Sequence, residues 1–148
     1  SGDTHKSLQV IDGELKELEN YPPLIENGVL SIMIGHLAVK NNEKFDTEGT
    51  PATISKKIVQ DLLINEMGYK GLIVTDAMNM GGVTSFKNAE LRSVEAGCDI
   101  VLMPKDTDEA FDSIYKAFVS DQNGFNQRAE TSIKKVIRMK ICLGLIAY

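Results

Sequence analysis

Three short apolar runs, each stopped by a small or polar residue, set the rhythm of this chain. Leu72-Ile73-Val74 is unbroken, the pattern of a strand covered on both faces, and such strands belong to parallel sheets and barrels. Val29 to Ile34 reads as a second buried strand ending at Gly35-His36, and Asp99 to Met103 as a third, stopped by Pro104. Between and after them the apolar period lengthens. Ile58, Val59, Leu62, Leu63 and Met67 predict an amphipathic helix over Thr53 to Met67, with Ser55 as candidate N-cap and Gly68 as its left-handed stop. Further helices are predicted around Ala89 to Ala96, stopped by Gly97, over Ala110 to Val119 with Phe111, Ile114 and Phe118 on one face, and over Arg128 to Leu143, carrying Ile133, Val136, Ile137 and Lys140 ahead of Gly144. Strand, loop and helix thus alternate about three times, which predicts a parallel α/β architecture.

The remaining segments are polar. Ser1 to Leu8 has no apolar period and reads as a loop. Residues 12 to 28 mix Glu and Lys with leucines, and their second half predicts a short helix begun by the Pro22-Pro23 pair and ended by Asn27-Gly28. Lys40 to Thr53 reads as a long irregular loop, a type often found on binding faces.

Composition narrows the function classes. With 148 residues, 43% of them hydrophobic and 25% charged, the chain has the material for one globular core. A formal charge of −5 and a pI near 5.0 argue against a nucleic-acid or anionic-membrane surface, which would need a basic stripe. No apolar run reaches the roughly 18 residues of a membrane span, and no signal-peptide pattern opens the chain, so no compartment is assigned. Cys98 and Cys142 lie in apolar contexts that predict burial, outside any metal-spacing motif. No Rossmann or phosphate-loop glycine pattern follows a strand, no serine sits in a nucleophile elbow, and no His/Cys cluster has metal spacing. The sequence therefore implies no cofactor and no metal.

What remains as candidate chemistry is a strand-end carboxylate. Asp76 stands where the Leu72 strand should stop, ahead of a Met-rich turn closed by Gly81 and Gly82. In parallel barrels catalytic groups gather at that end of the strand. On spacing alone, a role for Asp76 as cap of the next helical turn is an equal account. His36 holds the same topological place one strand earlier, where a purely structural histidine is the simpler account. Asp3 and His5, two positions apart in the opening loop, would form an oriented acid–imidazole pair if the loop folds back, and would simply be solvated if it does not.

Five blocks carry a resemblance that alternation does not. Gly28-Val-Leu-Ser-Ile-Met-Ile-Gly-His36, Thr50-Pro-Ala-Thr-Ile-Ser55, Gly68-Tyr-Lys-Gly-Leu-Ile-Val-Thr-Asp-Ala-Met-Asn-Met80, Ala96-Gly-Cys-Asp-Ile-Val-Leu-Met-Pro104 and Lys140-Ile-Cys-Leu-Gly-Leu145 occur in order along nearly the whole chain. Together they resemble the later part of the catalytic barrel of family 3 glycoside hydrolases, most of all the β-N-acetylhexosaminidase branch. The Asp-x-His pair of that branch is matched by Asp3-Thr4-His5, at a tighter spacing than the family usually has.

The resemblance implies a retaining β-N-acetylhexosaminidase or related β-glycosidase whose carbohydrate substrate is expected to contain N-acetylglucosamine, with a β-glucosidase or a phosphorolytic relative as the alternatives inside the class. Asp76 matches the nucleophile, His5 the acid/base, and Asp3 the residue that orients it. His36 and Met78 fall in the matched blocks as candidate sugar contacts. The resemblance also implies a fold that is part of a TIM (β/α)8 barrel, incomplete at about three strands, with residues 1–148 as the C-terminal portion of the catalytic domain. The family's Lys-His sugar-binding motif is then expected upstream of Gly2, and the chain alone is expected to self-associate and to be inactive. A different class stays open beside it: a small flavodoxin-like binding or interaction module in which Asp76 and Asp106 are loop acids without catalytic roles.

Overall fold

A computed structural model describes residues 3, 5–121 and 124–147; Ser1, Gly2 and Thr4 of the predicted opening loop lie outside them. Among the described residues the strands are β1 (Gln9–Asp12), β2 (Ser31–Ile34), β3 (Leu37–Lys40) and β4 (Leu72–Thr75). The helices are α1 (Tyr21–Glu26), α2 (Ala89–Ala96), α3 (Thr107–Ser120) and α4 (Phe125–Cys142), with a π-wound helix, Lys57–Glu66, between β3 and β4. Every ladder is parallel. β1 pairs with β3 in the register Gln9↔Leu37 to Asp12↔Lys40, and β2 pairs with β4 from Ser31↔Leu72 to Ile34↔Thr75. This is the parallel α/β arrangement of part of a barrel, as the sequence predicts.

The strands differ from expectation in number and character. β1 and β3 are additional: each has four residues, too few for an alternation to stand out from a polar surrounding. Gly35 and His36 separate β2 from β3, where Leu37 N–H bonds back to the Gly35 carbonyl at 3.0 Å. One extended segment thereby serves β4 with its first half and β1 with its second. β2 is also not covered on both faces, since Ile32 and Ile34 are buried while Ser31 and Met33 are exposed.

The predicted third strand, Asp99 to Met103, is reduced to one parallel bridge, Val74↔Ile100. Side chains explain why. The Asp99 carboxylate takes the Ile73 N–H at 2.9 Å and the Thr75 hydroxyl takes the Leu102 N–H at 2.9 Å, so side chains occupy donors that a ladder would otherwise use. Similar substitution orders the polar stretch after β3. Thr47 bonds Val39 through both its backbone N–H and its hydroxyl, and the Asn42 side chain caps the Lys44 and Phe45 N–H groups.

Helix expectations hold in place and fail in detail. α2 ends at Ala96 as predicted, and Gly97 follows at φ +128°, packed so closely on the π-wound helix that a Cβ there would lie 2.9 Å from Val59. Ser55 is not a side-chain cap; its carbonyl accepts the Ile58 and Val59 N–H groups instead. α3 is capped by Asp106, whose carboxylate accepts the Glu109 N–H at 2.9 Å. Ile114 and Phe118 pack inward, whereas Phe111 is exposed and stacks on Tyr115 with ring centroids 5.8 Å apart. α4 buries Phe125, Ala129 and Ser132, with Val136 half-buried on the same line, which turns Ile133 and Ile137 outward. The same rotation, near the helix end, exposes Cys142, contrary to its predicted burial. Cys98 is buried, and its burial pushes the thiol up to about 12, so it is an inert packing group.

A buried ion cluster bolts α4 to the sheet. The side chain of Asp99 is fully enclosed, accepting from Ser132 Oγ at 2.7 Å, Arg128 at 3.0 Å, Lys135 Nζ at 2.9 Å and the Ile73 N–H at 2.9 Å. Arg128 also donates to the carbonyls of Val94, Gly97 and Cys98, and Lys135 to that of Gly71. Burial pushes the Asp99 carboxyl up, but Lys135, Ser132, the Ile73 N–H and Arg128 together outweigh it and hold the group below its ordinary 3.8.

Because that value is lowered on folding, Asp99 contributes stability that is complete above the unfolded value of about 3.9 and is lost as pH falls through the folded one. Urea denaturation should therefore give a midpoint that declines steeply below about pH 4. In Asp99→Asn that acid-side decline should be smaller. At neutral pH the variant should be less stable by about 3–5 kcal/mol, the cost of leaving buried cations without their partner.

Candidate active site

The candidate site is the turn that leaves β4. Three neighbours fix it. The Asp76 N–H donates to the Ile34 carbonyl at 2.9 Å, which ties the turn to the end of β2, and the Met78 N–H donates to the Leu102 carbonyl at 2.9 Å on the other side. His36 supplies the third support by donating from Nε2 to the Ala77 carbonyl at 2.9 Å. Asp76 itself is half-buried. Its Oδ1 accepts the N–H of Ala77 at 2.8 Å, and among the described residues Oδ2 has no protein donor. That leaves a fixed carboxylate with one oxygen free of protein donors. Asp76 is not a helix cap: the next helix, α2, begins at Ala89 behind Asn88.

His36 is fully buried. Ala77's carbonyl only accepts, so Nε2 carries a hydrogen, and in the neutral ring Nδ1 then accepts the Thr53 hydroxyl at 2.6 Å. Thr53 also lies 3.2 Å from the Gly35 carbonyl, the alternative acceptor for its hydroxyl hydrogen. Both ring nitrogens are thus engaged with protein, and the ring props up the carbonyl next to Asp76. Met78 is 1% exposed and packs with Ile54, Val83 and Ala89 beneath the turn. Neither side chain presents surface to a ligand; both shape the turn from below.

Asp3 and His5 fold into a compact turn. One Asp3 oxygen, Oδ1, accepts from the His5 backbone N–H at 3.0 Å and from the ring Nδ1 at 2.9 Å. The Asp3 carbonyl accepts the N–H groups of Lys6 and Ser7 at 3.0 and 3.2 Å. The His5 backbone N–H, then its ring, hold the Asp3 carboxyl below the ordinary value, so it stays ionised to orient the imidazole. With Nδ1 committed to Asp3, Nε2 is the ring nitrogen left without a protein partner among the described residues, on a side chain 76% exposed. This turn docks on the one that follows Asp76: the Gly81 N–H donates to the His5 carbonyl at 2.9 Å.

Three contributors to this arrangement escape sequence reasoning. Thr53 reads as the start of a helix, Thr75 as a strand residue, and Gly81 as a turn-former. Only Gly81 leaves a signal, as one of two adjacent glycines where a turn needs no more than one. Among the described residues no group of three or more His, Cys, Asp or Glu side chains could hold a metal ion, and no helix is long and apolar enough to cross a membrane.

Parallel strands flanked by helices, with a carboxylate at a strand's C-terminal end, are the architecture of part of a (β/α) barrel. The model of the family described as glycosyl hydrolase family 3, N terminal domain, matches residues 1–139, and the chain belongs to that family. A β-N-acetylglucosaminidase/β-glucosidase of Cellulomonas fimi is 28% identical over 134 residues, covering 84% of this chain and 24% of that protein. A β-hexosaminidase of Nitrosomonas eutropha is 34% identical over 119 residues, covering 73% of this chain and 32% of that protein. The solved family 3 β-N-acetylglucosaminidase from Paenibacillus sp. str. FPU-7 superposes with a TM-score of 0.83 at 26% identity, over 94% of this chain and 28% of that one. The chain thus spans about a quarter to a third of these relatives.

The Thr53–His36 bond is testable without an activity assay. Thr53→Val keeps the shape but strands a buried ring nitrogen, and should lower stability by about 1–3 kcal/mol in urea denaturation. Thr53→Ser should recover most of the loss. Equal stability of the valine variant and the parent would show that the bond contributes nothing.

Proposed function

We propose that the parent enzyme is a retaining β-N-acetylhexosaminidase or closely related β-glycosidase that works through a glycosyl-aspartate intermediate. The observation that carries the proposal is the meeting of two turns. The rigidly held Asp76 and the Asp3–His5 pair come from distant parts of the chain and are joined through the Gly81 to His5 bond. Asp76 Oδ2 attacks the anomeric carbon while His5 Nε2 gives its proton to the departing oxygen, and the glycosidic bond breaks to leave a sugar ester on Asp76. The imidazole, now neutral, takes a proton from water. The resulting attack on the anomeric carbon releases the sugar and restores the Asp76 carboxylate. Asp3 holds the ring for both half-reactions and stabilises the imidazolium between turnovers. His36 and Met78 are not sugar contacts in this reading; they act only through the turn they support.

N-acetylglucosamine as the sugar is supported by the names of the relatives from Cellulomonas fimi and Paenibacillus. In the full-length enzyme, Asp76→Asn should abolish turnover of an aryl N-acetylglucosaminide with the fold intact by circular dichroism. Ordinary rates in that variant would remove Asp76 from the chemistry. His5→Ala should cost roughly a hundred- to ten-thousandfold on substrates whose leaving group needs a proton, and far less on activated aryl glycosides. An equal loss on both would make His5 a positional residue.

The 148-residue chain by itself should behave differently from the parent. Val10 on β1, Met33 on β2 and Leu30 just before it are each more than half exposed, apolar surface that the rest of a closed barrel would cover. Light scattering should report association, and the aryl N-acetylglucosaminide assay should report no turnover, since most groups that hold a substrate in attack geometry lie elsewhere in such barrels. A monomer with ordinary enzyme rates would contradict both expectations.

A further inference from the structure

Gly81 bears on catalysis although it carries no side chain. Its N–H holds the His5 carbonyl at 2.9 Å, and the space a Cβ would need is already occupied by backbone. That Cβ would stand 2.4 Å from the Lys6 carbonyl oxygen, 2.6 Å from the Lys6 carbonyl carbon and 2.9 Å from the His5 oxygen. None of these atoms is the end of a flexible side chain. Nor is Gly81 among the glycines with positive φ, so its neighbour demands the glycine and its own dihedral does not.

The two turns that meet here are held very differently. Asp76 and its neighbours are tied to Ile34, Leu102 and His36, all in the buried body of the domain. The His5 turn is shaped from within, by Asp3, and among the described residues its hydrogen bond to Gly81 is the one that joins it to a distant element. The Asp3 bonds set the shape of the turn; they do not set where it stands relative to the nucleophile.

We propose that Gly81 is a positioning residue for the acid–base turn: its N–H and its bare Cα form the seat that sets the place of His5 relative to Asp76. The inference rests on the reading of His5 as the acid/base. A side chain at Gly81 forces the Lys6 carbonyl back by about 1 Å, the difference between 2.4 Å and an ordinary contact of 3.4 Å. The shift falls on the His5 turn because the nucleophile's turn is pinned and the His5 turn is exposed. Displacement of that size costs on the order of a hundredfold in a step that needs aligned groups.

The test uses the full-length enzyme with Gly81→Ala, alone and combined with His5→Ala. For an alkyl or disaccharide N-acetylglucosaminide, which needs a proton on the leaving oxygen, kcat should fall about a hundredfold. A dinitrophenyl glycoside, which does not need one, should react within a fewfold of the parent rate. The limb of the pH–rate profile that His5→Ala removes should weaken in Gly81→Ala, and in the His5→Ala background Gly81→Ala should cause no further loss. Limited trypsinolysis gives a readout independent of activity: cleavage after Lys6 should be faster in Gly81→Ala at unchanged global stability. Equal losses on both substrates, a further loss in the His5→Ala background, or unchanged Lys6 cleavage would each overturn the proposal while the acid–base reading stands. If His5→Ala itself slows both substrates equally, the acid–base reading fails and this proposal fails with it.

Discussion

The structure depends on one buried carboxylate. Asp99 accepts from a strand N–H, a serine, an arginine and a lysine at once, and those donors belong to β4 and α4. A charge enclosed this way is tolerable only because it is fully partnered, and the partners are held in turn by the carbonyls that end α2 and precede β4. Helix and strand placement are therefore coupled through electrostatics at the start of β4. At the other end of the same strand sits Asp76. A short strand anchored by one acid at its beginning delivers another acid at its end.

The two acids are treated oppositely. Asp99 spends its acceptor capacity on protein donors and is closed to solvent, whereas Asp76 uses one oxygen locally and stays half-buried. Backbone, not side-chain pairing, holds Asp76 in place, through the Ile34 and Leu102 carbonyls and the Ala77 carbonyl braced by His36. A carboxylate positioned by its backbone keeps its second oxygen free of protein donors. The acid–base candidate shows the complementary economy: Asp3 fixes one nitrogen of the His5 ring, leaving the other at the surface.

The apolar surface is distributed as expected for one part of a closed structure. Buried clusters fill the space beneath β2, β4 and the π-wound helix, and under α2, α3 and α4, while Phe111, Tyr115 and Val119 line up exposed along α3. Residues at that spacing share a helix face. In family relatives several times this length, the remaining elements of the protein are available to cover such faces.

The sequence by itself determined the parallel α/β class, the placement of β4, the π-wound helix and α2 to α4, and the strand-end position of Asp76, because apolar periodicity and Gly/Asp punctuation are local properties. It did not determine that Cys142 faces solvent or that Phe111 lies off the packed face, since a helix's rotation is chosen by what it packs against. Nor could it show that Asp99 to Met103 barely pairs, or that β1 joins β3: the first is decided by the Asp99 and Thr75 side chains occupying Ile73 and Leu102 donors, the second by contact between distant four-residue segments. Only the tertiary structure brought His36 under Ala77 through Thr53, and seated the His5 turn on Gly81. Both depend on approaches between residues tens of positions apart, where no local pattern records which backbone will come near which.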